Sequence, residues 1–305
     1  MANNVTMRDP YRAKKMRVYF RFSMIAVACV VVVAVLAIIM NTGQKNIDYS
    51  QSTFVQYEAP EDSAPVVVFE TTEGTFKAVL YENEAPEYCK FFEQLVKDGY
   101  FNDTYACTLL RTGGVTGGFI AGSKTQDGTA ADDTNKEFIN VEVSGNMLPT
   151  KGSLGSLVRE GGRFSKPKAG SVFTVLSDVV DIEELRKAVD GDVNGFSRVC
   201  ELFEKYGGVP NYLQMYTLFG QVYDGWETLD KIFNTKIIDE AAPDDKEDRD
   251  LRPEHEIKFT KVWLSTYGEQ KQNGFNIPLK EGSVKISTAS EDSSAADASS
   301  ADTSN

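Results

Sequence analysis

From Phe22 to Met40 the chain runs without a charged residue and with almost no polar one. At about 1.5 Å per residue, a helix over this stretch spans roughly 28 Å, close to the hydrocarbon thickness of a bilayer. Arg12, Lys14, Lys15, Arg17 and Arg21 precede it, and Asp48, Glu58, Glu61 and Asp62 follow. That asymmetry predicts a cytoplasmic basic segment over 1–21, a transmembrane helix over 22–40, and the remainder on the extracytoplasmic side of the cell membrane. A cleaved signal peptide would have a shorter apolar core and a small-residue exit. This segment instead leaves through Ile-Ile-Met-Asn-Thr-Gly. Residues 41–65 are polar and read as a linker. Residues 267–305 end in a Ser/Asp/Ala-rich tail that cannot offset its ordering entropy, so disorder is expected there.

Between linker and tail the period of the apolar positions alternates between two and 3.6. Val66–Glu70 and Thr75–Tyr81 are β-rich runs joined by Thr-Thr-Glu-Gly, a hairpin signal. Pro86 opens a helix whose Tyr88, Phe91, Phe92, Leu95 and Val96 share one face, and Asp98-Gly99 closes it. Short strands are predicted at Tyr105–Leu110, Gly118–Ala121, Ser153–Val158, Ser171–Leu176, Thr217–Val222 and Ile257–Leu264, with a second helix over Trp226–Phe233. Residues 181–206 read as helical, with Ile182, Leu185 and Val189 on one face and Phe196, Val199 and Phe203 on another. They form an insertion, about 178–212, between two strands. Many short strands with two helices predict a mainly β, closed antiparallel barrel capped at its ends.

Composition narrows the chemistry. A formal net charge of −13 over 305 residues disfavours nucleic acid, whose phosphates need Lys and Arg. Cys29, Cys89, Cys107 and Cys200 follow neither a zinc pattern nor a disulfide framework and read as small buried hydrophobes, with at most one bridge among the last three. The single histidine, His255, sits in Arg-Pro-Glu-His-Glu before a strand and reads as an exposed loop residue. Neither a histidine-based triad nor a multi-histidine metal site fits. There is no P-loop, H-E-x-x-H or dinucleotide fingerprint, so no metal and no cofactor is expected.

Several fragments, in order, resemble the cyclophilins, the barrel family of peptidyl-prolyl isomerases. They are Val67-Val68-Phe69-Glu70-Thr71-Thr72-Glu73-Gly74-Thr75; Glu82-Asn83-Glu84-Ala85-Pro86 with Phe91-Phe92 and Leu95-Val96; Gly99-Tyr100-Phe101-Asn102-Asp103-Thr104; Glu137-Phe138; Gly170-Ser171-Val172-Phe173; and Thr217-Leu218-Phe219-Gly220-Gln221-Val222 with Gly225 and Asp230-Lys231-Ile232. The resemblance covers residues 66–266 and implies a cyclophilin-like barrel acting without a cofactor on proline-containing polypeptide clients.

It also implies a site. Rotation about a prolyl bond is slow because amide resonance imposes a barrier of about 18–20 kcal/mol. The family lowers it with an apolar pocket for the ring and an arginine donor aimed at the prolyl amide. Aligned from Thr104, Thr108 takes the arginine place, and Arg111 reaches the pocket only through a bulge. Either is the candidate catalytic donor. Substrate-binding places fall on Phe119, Ala121 (glutamine is usual), Phe173, Thr174 (a second aromatic is usual), Leu213 and Tyr216 (histidine is usual), with Tyr212 near the rim. Two functions stand open: a membrane-anchored foldase for secreted chains, and a catalytically degenerate module that binds a proline-containing segment or a protein partner at the cell surface.

Overall fold

The computed structural model describes residues 47–112, 115–128, 138–159, 168–188, 192–242 and 249–280. The expected transmembrane helix at 22–40 and the basic segment 1–21 lie outside them; among the described residues no helix is long and apolar enough to cross a membrane.

The chain runs through β1 (Pro65–Thr71), β2 (Gly74–Leu80), α1 (Pro86–Lys97), β3 (Thr104–Thr112), β4 (Val115–Ser123), β5 (Ile139–Asn140), β6 (Ser153–Arg159) and β7 (Lys168–Leu176). It continues through α2 (Ile182–Ala188), α3 (Phe196–Tyr206), β8 (Leu218–Asp224), α4 (Trp226–Phe233), β9 (Lys258–Thr266) and the one-turn α5 (Tyr267–Gln270). Strands pair antiparallel in the order β4-β3-β9-β1-β2-β8-β6-β7, and β7 pairs back to β4, closing a barrel of eight strands; β5 adds beside β7. Closure removes the sheet edges. The β1–β2 hairpin turns at Gly74, where φ is +137° and a Cβ would lie 2.5 Å from Thr228 Oγ1.

Alternation sends every second side chain inward. Phe69, Phe76, Leu109, Phe119, Phe173, Phe219 and Phe259 are buried in one core. Phe69 stacks on Phe76 at 4.6 Å and meets Phe173 at 5.7 Å. The two expected capping helices close it: Phe92 of α1 lies 4.9 Å from Phe219, and Phe233 of α4 lies 5.8 Å from Phe119. Each such ring removed from water contributes about 1.5–3 kcal/mol.

Two segments differ from their sequence reading. Residues 47–57, expected within a linker, pack as a strap of two 3₁₀ turns, Tyr49–Gln51 and Val55–Tyr57. Tyr49 and Phe54 join Leu148, Leu185, Phe196, Val199, Phe203 and Leu213 in a second core, formed with the insertion. Gln56 is fully buried: Nε2 donates to Leu148 O (2.9 Å), Ser153 Oγ (2.9 Å) and Gln221 Oε1 (3.0 Å), and Oε1 accepts from Leu148 N (2.6 Å). Residues 267–280, expected within a disordered tail, fold back on the barrel. Phe275 stacks on Tyr223 at 5.8 Å, and Trp226 Nε1 donates to Asn276 O at 2.9 Å. Both segments are locally polar and owe their order to a few aromatics that find distant partners.

The insertion is α2 and α3, not one continuous helical run. Asn194 and Gly195 take left-handed φ values of 54° and 72° between them, and Gly195 would drive a Cβ to 2.3 Å from Ser50 N. Cys89, Cys107 and Cys200 are buried and unbridged. His255 is exposed on a loop, with Nε2 2.9 Å from Glu73 Oε1.

Candidate functional site

Directly opposed residues of antiparallel strands project on the same face. Thr108 of β3 opposes Ile120 of β4, Ile120 opposes Thr174 of β7, and Thr174 opposes Gly155 of β6. These four make a row across four strands on the outside of the barrel. Their neighbours Ala106, Ala121 and Phe173, and likewise Leu109, Phe119 and Val175, belong to the inner face and are buried in the core.

The row carries no charge. Thr108 is half-buried, with Oγ1 3.9 Å from Cys107 Sγ. Cys107 is the extra residue of a bulge between Ala106 and Thr108. Its Sγ donates to Ile120 O at 3.6 Å, and burial pushes the thiol pKa up. Thr174 Oγ1 donates to Gly155 O at 3.2 Å. Over Gly155 lies the Pro210–Tyr212 turn: a Cβ at Gly155 would stand 3.0 Å from Thr174 Oγ1 and 3.8 Å from Tyr212 Cδ1. Tyr212 stacks on Tyr216 with ring centroids 4.2 Å apart. Burial pushes both phenols above their ordinary pKa, so both stay protonated at neutral pH. The row leaves Thr108 and Ile120 part-exposed and buries Thr174 and Gly155 beneath the tyrosines, and this strip with its edge of two tyrosines is the candidate groove.

The sequence-derived residues therefore separate into four places. Thr108, Thr174 and Tyr216 come together at the groove. Phe119, Ala121 and Phe173 do not: they point into the barrel, and the part-exposed apolar side chain of the row is Ile120 instead. Leu213 is buried in the second core against the strap. Arg111 does sit beyond a bulge, between Leu109 and Arg111, but the bulge aims it at the end of α4. Nη1 lies 2.5 Å from Glu240 Oε1, and Nη2 donates to Thr235 O at 3.1 Å and Phe233 O at 3.5 Å. Its β4 partner Thr116 donates to the same Phe233 carbonyl at 2.8 Å. Sequence reasoning missed Ile120, although its position between two core residues, Phe119 and Ala121, marks it as outward-facing.

Among the described residues, no group of three or more His, Cys, Asp or Glu side chains is arranged to hold a metal ion. The groove's equipment suits an uncharged, partly apolar ligand that offers carbonyl acceptors.

The family model for cyclophilin type peptidyl-prolyl cis-trans isomerases matches residues 66–262. A Staphylococcus aureus (strain USA300) protein with a provisional peptidyl-prolyl cis-trans isomerase name is 27% identical over 181 residues, covering 59% of this chain and 84% of its own length. A Staphylococcus saprophyticus protein with the same provisional name is 26% identical over 197 residues, covering 64% of this chain and 89% of its own. The crystal structure of a Cryptosporidium parvum cyclophilin type peptidyl-prolyl cis-trans isomerase, determined in the presence of the dipeptide Ala-Pro, covers 66% of this chain and 99% of that one at 18% identity, with a TM-score of 0.46. With the family model spanning the whole barrel from β1 into β9, the chain belongs to the cyclophilin-type peptidyl-prolyl cis-trans isomerase family.

Proposed function

We propose that the chain isomerises Xaa-Pro bonds at the Thr108–Ile120–Thr174–Gly155 row. The observation that carries this reading is the row itself: four opposed residues on one outer face of the family's barrel, edged by stacked aromatics. The prolyl ring rests on Ile120 beside the edge of Tyr212 and Tyr216. The Thr108 hydroxyl donates toward the prolyl amide as it twists out of conjugation, an interaction that strengthens toward the transition state. A neutral hydrogen bond contributes about 0.5–1.5 kcal/mol, against about 1.5–3 for one from a charged donor. A difference of about 1.4 kcal/mol is tenfold in rate, so turnover is expected about tenfold below that of an arginine-based site.

With residues 22–40 as a signal-anchor, the barrel lies outside the cytoplasm and its clients are proline-containing segments of secreted chains. The basic residues before the apolar segment and the acidic ones after it support that placement. Protease digestion of intact cells tests it: a barrel that resists protease until the membrane is permeabilised would contradict the topology.

A second reading is favoured by the engagement of Arg111 with Glu240 and the end of α4. With no charged side chain in the row, the groove binds proline-containing segments without accelerating their isomerisation. Exchange NMR on an Ala-Ala-Pro-Phe peptide, with the full chain in detergent, separates the two. Acceleration reduced about tenfold by Thr108→Val supports the hydroxyl donor. Peptide binding without acceleration establishes the binding module. The absence of both binding and acceleration rules out the groove.

A further inference from the structure

The N-terminal strap is tied to the loop that forms the groove's edge. Tyr212 and Tyr216 flank Leu213 and Gln214, and the side chains of those two go to the strap. Leu213 is buried in the second core with Tyr49 and Phe54. Gln214 Nε2 donates to the Tyr49 hydroxyl oxygen at 2.7 Å. Gln214 also holds a φ of +58°, in the left-handed region that a residue with a side chain keeps only where its surroundings hold it there.

Tyr49 is itself clamped. Arg198 of α3 donates from Nη1 to Tyr49 O (2.9 Å) and Ser50 O (2.8 Å), and from Nη2 to Ser52 O (3.2 Å). Its guanidinium lies 5.2 Å from the Phe54 ring centroid. The other end of the strap is pinned by Gln56 inside the barrel network. The loop adds short local bonds of its own, Tyr212 N to Val209 O (3.0 Å), Leu213 N to Pro210 O (2.9 Å) and Met215 N to Tyr212 O (3.3 Å), and its Tyr212 side chain is hydrogen-bonded to Thr174 of the barrel.

We propose that Tyr49, clamped by Arg198, is a positioning residue that acts through Gln214 and Leu213 to hold the Tyr212–Tyr216 edge over the groove. The strap thereby sets how tightly a proline peptide is received. This rests on the groove reading above. It goes beyond that reading by assigning a role in substrate binding to residues outside the barrel and the groove.

The test uses the full chain in detergent, with Tyr49→Phe, Arg198→Ala and Tyr212→Ala. Hydrogen exchange is followed at the amides of Tyr212, Leu213 and Met215, and the Kd for Ala-Ala-Pro-Phe is measured in parallel. Loss of one part-buried hydrogen bond corresponds to roughly a twofold to tenfold change. Tyr49→Phe is therefore expected to speed exchange at these amides about fivefold and weaken the peptide by about threefold or more, with α1 and the barrel strands unchanged. Arg198→Ala shifts both further; should it fail to fold, Tyr49→Phe carries the test alone. By linkage, saturating peptide slows exchange at the same amides in the unsubstituted protein. Unchanged loop exchange overturns the proposal, as does an unchanged Kd where Tyr212→Ala weakens binding. If loop exchange rises but Tyr212→Ala leaves the Kd unaltered, the groove reading has failed and the positioning role falls with it.

Discussion

Arg111→Met keeps the length of the side chain and removes its charge and donors, which separates a structural arginine from a catalytic one. In the folded protein the arginine side chain is 9% exposed and its partner Glu240 is 39% exposed. Glu240 regains water when the pair is broken, so the ion pair itself contributes at most about 1 kcal/mol. The bonds to Thr235 O and Phe233 O come from a charged donor and contribute about 1.5–3 kcal/mol each. Phe233 O keeps Thr116 as a donor, so its loss counts little. Nε is buried without a partner, so removing it recovers part of the cost. The net is about 3 kcal/mol, and at about 2–4 °C per kcal/mol for a domain of this size the melting temperature should fall roughly 6–12 °C. Differential scanning calorimetry reads the stability and exchange NMR the isomerisation. Activity per folded molecule should stay within about twofold, because the guanidinium points away from the groove. A variant that melts like the unsubstituted protein but loses more than about tenfold in isomerisation would refute this reasoning and return Arg111 to the site.

Gln56→Leu strips the buried network of its central amide and leaves Leu148 N and Gln221 Oε1 short of partners, so it should cost about 3 kcal/mol, read as a lowered urea midpoint; an unchanged midpoint would mean the strap adds no stability. Burial, the Glu93 charge and the Glu93 hydrogen bond raise the Glu82 pKa. A raised folded-state pKa contributes stability that is present below the unfolded value of about 4.3 and lost as pH rises through the folded value. Glu82→Gln should therefore raise the melting temperature at pH 7 and bring no gain near pH 3; a pH-independent effect would contradict the assignment. Burial raises the thiol pKa of Cys89, Cys107 and Cys200, so a thiol reagent should label them only on unfolding; rapid labelling of the native protein would show that a thiol is accessible.

Period-two and period-3.6 patterns are local, and they located most of the architecture. Trp226–Phe233 carries its helix at the residues the pattern marks, and the β1–β2 hairpin turns where Thr-Thr-Glu-Gly places it. The cyclophilin resemblance added the closed order of the strands, which no local pattern contains. The site was harder, because facing in a strand depends on register, and β3 carries bulges between Tyr105 and Ala106, Ala106 and Thr108, and Leu109 and Arg111. Each bulge changes which side chains point outward. An ungapped alignment therefore places Thr108 on the groove but assigns it Phe119 and Ala121, which the register turns inward, and passes over Ile120.

The amino-acid sequence by itself located the strands, the two capping helices and the interruption by a helical insertion, because each rests on contacts between near neighbours, and its family resemblance supplied the closed barrel. Only the tertiary structure decided that Ile120 rather than Phe119 faces outward, where the Arg111 guanidinium is held, and that residues 47–57 pack as a strap. Those outcomes depend on bonds such as Arg198 to Tyr49 and Gln56 to Gln221, between residues far apart in the chain, whose closure entropy is offset only when the whole barrel forms.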